Sequence, residues 1–222
     1  MTGMPKPSLR ERKFARTRLA LAEVTTQHLH SASLESMSVK SLCERVQISE
    51  ATFFNYFPRK DALIAYLDKL WTLELSWYGR QAAAQHEGLA VIEALFRYTA
   101  IQVQKKPGLM GEIIAYEARD REHAPRPEIT RAERMMAVPD LDGIEDIEVD
   151  NLESLFKTSL VQAIRQAELP ENTLIPAAMV GLVSIFYGVP LAIQHSNPAS
   201  IGPMYRQQLE LLWAGLRSAS VK

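Results

Sequence analysis

Val39-Lys-Ser-Leu-Cys-Glu-Arg-Val-Gln-Ile-Ser-Glu-Ala-Thr-Phe-Phe-Asn-Tyr-Phe-Pro-Arg-Lys60 reads as two short helices about a tight turn, closed by an aromatic run and a basic corner. Val39, Leu42, Cys43 and Val46 recur at helical spacing, so one face of the first helix is buried. Ile48 plugs the turn, Ser49 is a suitable N-cap, and Ala51 to Tyr56 form the second helix. A helix-turn-helix built this way presents the start of its second helix to the major groove of DNA.

Outward from this stretch the helical period continues in both directions. A first helix is expected from about Leu9 to His30, with Phe14, Leu21, Val24 and Leu29 toward the core, and Ser31 to Ser38 ends it. Pro58 is expected at the first position of a fourth helix, where its missing N–H costs nothing, and that helix runs to about Gln85. Val91 to Val103 make a fifth helix, stopped by Pro107-Gly108, and Leu109 to Glu117 a sixth. Arg119 to Glu128 reads as an exposed loop, Ile129 to Ala137 as a short seventh helix, and the acidic Asp140 to Asp150 as a connection. The eighth helix is expected from about Asp150 to Glu168. The ninth, about Leu174 to Gln194, is apolar nearly all round and should be buried on several sides. A tenth covers about Pro203 to Ser218.

At 222 residues the chain can bury a full core in one or two domains. The net charge of −1 hides an asymmetry: residues 1–60 carry ten Lys/Arg against five Asp/Glu, and the remainder carries fifteen against twenty-one. A basic segment joined to an acidic body fits a module that meets phosphates and a body that does not. Cys43 is alone, which excludes an internal disulfide and a multi-cysteine zinc site. No run is read as long enough for a membrane span, and Met1 to Lys13 lack the apolar core of a secretory signal. The expectation is a cytoplasmic protein with no membrane partner.

Read with its flanks, the stretch resembles the DNA-binding domain of the TetR (tetracycline-repressor) family. The residues that carry the likeness are Arg18 and Leu21, Ser38-Val39, Thr52-Phe-Phe-Asn-Tyr-Phe-Pro-Arg-Lys60 and Ala62-Leu63. They lie within residues 10 to 68. Gln47 and Ser33 stand where the family favours glycine, and a left-handed Gln47 would cost on the order of 1 kcal/mol. The resemblance implies an all-α protein: an arm at 1–8 expected to be disordered, a helix-turn-helix DNA-binding domain at 9–68, and a ligand-binding and dimerisation domain at 69–222.

For the DNA-binding set the resemblance implies Lys40, Ser49, Glu50, Ala51, Thr52, Phe54, Asn55, Tyr56 and Lys60. An Asn side chain can bond adenine bidentately, Glu can accept from cytosine, and an alanine methyl can meet thymine. Phe54 replaces a common tyrosine, and Tyr56, replacing a histidine, can restore one phosphate contact. Lys60 and Thr52 are the expected phosphate partners, which set register and affinity and not sequence. Phe53 and Phe57 read as core.

Trp71, Trp77, Met110, Tyr116, Met135, Phe156 and Tyr187 supply adaptable surface for a small apolar or amphipathic effector, and equally for an ordinary helical core. By resemblance, helices eight and ten of two subunits pair as a four-helix bundle, through Leu155, Leu160, Ile164, Leu209, Leu212 and Trp213. The implied activity is that of a transcriptional regulator, a repressor that leaves double-stranded operator DNA when the effector binds.

Metal, cofactor and catalytic readings are set aside. The five histidines have no ligand spacing, and the loop Asp140-Leu-Asp-Gly-Ile-Glu-Asp has its glycine at the fourth position where a calcium loop needs it at the sixth. No phosphate loop, nucleophile elbow or zinc-protease motif occurs. Two alternatives stay open: a DNA-binding regulator with a protein partner or no effector, and a helical small-molecule binder or enzyme.

Overall fold

The computed structural model describes residues 6–119, 127–148 and 152–218. Among them the regular structure is entirely helical: α1 (Leu9–Leu29), α2 (Val39–Val46), α3 (Glu50–Tyr56), α4 (Ala62–Ala83), α5 (Leu89–Lys105), α6 (Leu109–Arg119), α7 (Arg131–Ala137), α8 (Leu152–Arg165), α9 (Ile175–Ile193) and α10 (Ile201–Ser218). Two single 3-10 turns, Ile144–Asp146 and Pro198–Ser200, were not foreseen. Residues 1–5 of the expected arm, residues 120–126 of the expected loop and the expected start of helix eight at Asp150 lie outside the described residues.

Local chemistry sets most helix starts. Ser8 and Glu11 form a reciprocal capping box on α1, and Thr130 and Glu133 form a second on α7. The Ser8 contacts hold the Glu11 carboxyl below the usual carboxylate range. Helix α5 lacks a cap of its own at Gly88; the Leu89 N–H donates instead to Glu168 Oε2 at 2.8 Å. A carboxylate from beyond the end of α8 thus replaces the missing side-chain cap. Pro58 does not open α4. It lies in the turn before it, and the helix begins at Ala62 after hydrogen bonds to the carbonyls of Arg59, Lys60 and Asp61.

The chain packs into two compact units, each discontinuous in sequence: residues 1–74 with 112–148, and residues 75–111 with 149–222. They divide at other positions than the 68/69 boundary read from sequence. In the first unit, α1 packs on α2 and α7 around Leu21, Leu42, Phe53, Phe57 and Tyr66, all fully buried. In the second, α5, α8, α9 and α10 surround an aromatic cluster. Phe96 stacks on Phe156 at 5.5 Å and meets Tyr205 edge-on at 4.9 Å, and the Tyr205 hydroxyl donates to Phe186 O at 2.6 Å. Burial, with Tyr187 nearby, pushes the Tyr205 phenol well above its ordinary pKa.

Helix α9 corrects two expectations. Ile175–Ile193 is, by length and composition alone, long and apolar enough to cross a bilayer, with a mean hydropathy of 1.8. Nor is it buried on several sides: a third of it is buried. Ala178, Met179, Leu182, Phe186 and Val189 dock on the second unit's core, and the opposite face is open.

Candidate nucleic-acid interface

The two-helix motif is held by caps at every end. Ser38 Oγ accepts from Ser41 N at 3.1 Å, and Ser49 Oγ accepts from Thr52 N at 3.1 Å. Between them Gln47 adopts φ 57° and ψ 47°, in the left-handed region. Its N–H and that of Ile48 both return to Cys43 O, which closes α2 and turns the chain into α3. The turn therefore keeps the conformation that favours glycine, with glutamine in it.

The aromatic run fixes which side of α3 faces out. Phe53 and Phe57 are fully buried with rings 5.9 Å apart, and Phe57 lies 5.4 Å from Tyr66. The Arg18 guanidinium covers the same rings, 5.2 Å from Phe57 and 4.2 Å from Tyr66. With that side anchored, Glu50, Ala51, Phe54 and Asn55 are exposed, and Phe54 keeps 48% of its surface open. Thr52 is half-buried, its hydroxyl 2.9 Å from that of Ser49, and exposed Lys40 sits on the first turn of α2. Tyr56 is also half-buried, its ring edge-on to Phe14 at 5.1 Å. Glu50, Ala51, Phe54 and Asn55 thus share one open surface, with Ser49 and Thr52 at its leading edge.

Lys60 does not behave as a phosphate partner. Its Nζ donates to Leu34 O at 2.9 Å, Glu35 O at 3.1 Å and Met37 O at 2.9 Å. An ammonium has three protons, so this clasp on the turn after α1 occupies all of them. Beside it Arg59 pairs with Asp61, and that hydrogen bond holds the Asp61 carboxyl below its usual range.

A charged cluster lies buried behind α3. Glu133 of α7 is fully buried and accepts from Arg18 at 3.0 Å, from the Tyr66 hydroxyl at 2.7 Å and from Thr130 N at 2.7 Å. Arg18 also donates to Glu128 O at 3.1 Å. Burial first, and the Glu133 carboxylate second, push the Tyr66 phenol far above its ordinary pKa. Breaking such a pair strands a buried charge, which costs roughly 3–5 kcal/mol. Sequence reasoning gave Glu133 no role. The Thr-x-x-Glu spacing at 130–133 was a local signal for the cap that could have been read, while its long-range partners left none.

The fold is shared with solved structures. Thermus thermophilus FadR, a TetR-family transcriptional repressor in complex with lauroyl-CoA, is 19% identical with a TM-score of 0.63, over 90% of this chain and 94% of that one. A protein solved to explain control of antibiotic production by a bacterial hormone is 17% identical with a TM-score of 0.59, over 95% and 100%. A TetR transcriptional regulator from Rhodococcus sp. RHA1 is 14% identical with a TM-score of 0.52, over 93% and 99%. The chain has the TetR fold. Neither a protein-family model nor a curated protein matches the sequence.

Within this TetR fold the residues expected to hold an effector are divided between the two units. Trp71, Tyr116 and Met135 belong to the first unit, and Trp77, Met110, Phe156 and Tyr187 to the second. Phe156 is fully buried in the aromatic cluster and Met110 is 1% exposed, so both serve as core. Tyr116 lines a cleft of the first unit. The expected dimer residues need correction for the same reason. Leu160, Leu209 and Trp213 are buried inside the second unit, and Leu155, Ile164 and Leu212 are half-buried. Half of the expected set is thus consumed within one chain, and the other half keeps part of its surface open. Open apolar positions among the described residues of the second unit include Ile101 on α5, Leu174 just before α9, Val180 and Leu191 on α9, and Leu211 on α10.

Proposed function

We propose that this protein is a sequence-specific DNA-binding transcriptional regulator, a repressor that works as a homodimer and leaves its operator when a small apolar or amphipathic molecule binds. The observation that carries the reading is the exposed side of α3. Its inner side is pinned by Phe53 and Phe57, so Glu50, Ala51, Phe54 and Asn55 are presented on a helix that cannot roll. The fold it shares with TetR-family regulators supports this. Ser49, Thr52, Tyr56 and Lys40 flank that surface, and Lys40 takes the phosphate role expected of Lys60. Exposed Lys13 adjoins Phe14, whose ring meets Tyr56, and joins Lys40 in that role.

A single recognition helix of seven residues reads few bases, and paired half-sites call for two of them. The second copy docks on the outer stripe of α9, where Val180, Ser184, Gly188 and Leu191 recur every three or four residues and are all exposed. Leu211 of α10 extends it, next to Leu212, which fills the space beside Gly181. A symmetric pairing of this patch would cover the surface that α9 leaves open. The ligand favours whichever conformation misplaces the two recognition helices, and lowers DNA affinity by its differential affinity for the two states.

A gel shift with the DNA upstream of the protein's own gene tests the reading. A band shift that survives excess random competitor supports it. Equal competition by random DNA leaves a non-specific binder, and no shift at all favours the helical small-molecule binder.

A further inference from the structure

The first unit holds a cleft of about 600 Å3 bordered by α1, the end of α3, the turn into α4 with its first residues, α6, and the segment leading to α7's cap. That volume is within the roughly 300–1,000 Å3 of small-molecule sites. Phe14, Tyr56 and Tyr116 give it aromatic walls, and Ala62, Ala65 and Pro127 supply apolar surface between them. Arg18, Arg59, Asp61 and Glu128 also border it, and their charges decide what it can accept. Arg18 is already paired with Glu133, and Arg59 with Asp61. The exposed Glu128 carboxylate turns anions away, and an anionic ligand would have to draw an arginine from its carboxylate or leave its own charge poorly solvated among aromatic rings. A neutral aromatic ligand faces neither cost.

We propose that this cleft is a binding site for a neutral, predominantly aromatic small molecule, and that the bound molecule acts on α3 directly. Tyr56 is the last residue of α3, and its ring rests edge-on against Phe14 across one wall of the cleft. A planar molecule seated there separates those rings and displaces the C-terminal end of the recognition helix. The device needs no relay through the second unit. The inference rests on the DNA-binding role proposed for α3, and its two halves are measured separately.

The full-length protein is titrated with N-phenyl-1-naphthylamine, a neutral fluorescent probe, and with the anionic 8-anilinonaphthalene-1-sulfonate of similar ring size. Two variants fill the cleft from opposite walls, Ala62→Trp and Pro127→Trp, with thermal melts to establish that each folds; if one fails to fold, the other carries the test. Saturable binding of the neutral probe is expected, weakened roughly tenfold or more by a folded filling variant through overpacking. The anionic probe should bind at least roughly tenfold more weakly than the neutral one, the penalty for desolvating its charge. The neutral probe should also lower DNA affinity of the wild type and not of the filled variants. Undiminished probe binding in a folded filling variant overturns the site. Equal affinity for the two probes overturns the neutral assignment, and binding in the cleft without loss of DNA affinity overturns the direct action on α3. If the unliganded protein binds no DNA, the regulator reading fails, while the two fluorescence titrations still decide the site.

Discussion

Lys60 and Gln47 show how much one side chain settles in this protein. With all its protons on the carbonyls of Leu34, Glu35 and Met37, Lys60 ties the turn after α1 to the start of α4. Lys60→Ala is therefore expected to lower thermal stability and to leave the salt dependence of DNA binding nearly unchanged. Lys40→Ala should do the reverse, reducing the slope of log affinity against log salt by roughly one unit. Denaturation melts beside binding isotherms at several salt concentrations check both. At Gln47 the left-handed backbone carries a Cβ that glycine would not, so Gln47→Gly should gain on the order of 1 kcal/mol. A rise in melting temperature of roughly 2–4 °C is the expected readout. Gln47 was legible through the family resemblance, which favours glycine at that position of the turn. The sequence could not announce Lys60's role, because the same spacing fits a lysine facing outward or one turned back on the chain.

Helix by helix, what was readable were the faces and the capped starts. Ser49 caps α3 as expected, and Pro107-Gly108 ends α5 close to the expected residue. Pro58 misled, since a proline suits both the first position of a helix and the turn before it. By resemblance, α8 was expected to lend Leu155, Leu160 and Ile164 to a second subunit, yet Phe156, Leu160 and Ala163 are buried in the second unit's own core. Helix α9, expected to be buried on several sides, keeps an open face. Periodicity shows that a face is apolar and says nothing about what covers it. Charge introduced on α9, as Val180→Glu with Leu191→Glu, should give folded monomers that bind DNA weakly, measured by sedimentation velocity and gel shift. Leu160→Ala should instead cost about 2–5 kcal/mol of stability with the oligomeric state unchanged.

For the whole molecule, the all-α architecture was legible from period and composition, but its division was not. Each unit is assembled from two distant stretches, and the buried Arg18–Glu133 pair spans more than a hundred residues, a separation that no local pattern reports. Two buried phenols set a global response to pH. Tyr66 and Tyr205 have pKa values raised by folding, so their neutral forms are favoured in the native state. Stability should be unaffected by them below the ordinary tyrosine pKa of about 10, and should fall as pH rises beyond it, because the unfolded chain ionises first. Melts between neutral and alkaline pH should show that loss, and Tyr66→Phe should blunt it while lowering stability at neutral pH.

The central claim is that the exposed side of α3 reads base sequence. Fluorescence anisotropy with two labelled duplexes of equal length, one from upstream of the protein's own gene and one with the same bases scrambled, tests it on the wild type and on Asn55→Ala. Wild-type protein should bind the upstream duplex more tightly. Asn55→Ala should lose about 1–3 kcal/mol on that duplex and little on the scrambled one, since a base contact carries specificity where a phosphate contact does not. Equal losses on both duplexes, or no preference by the wild type, would contradict the account.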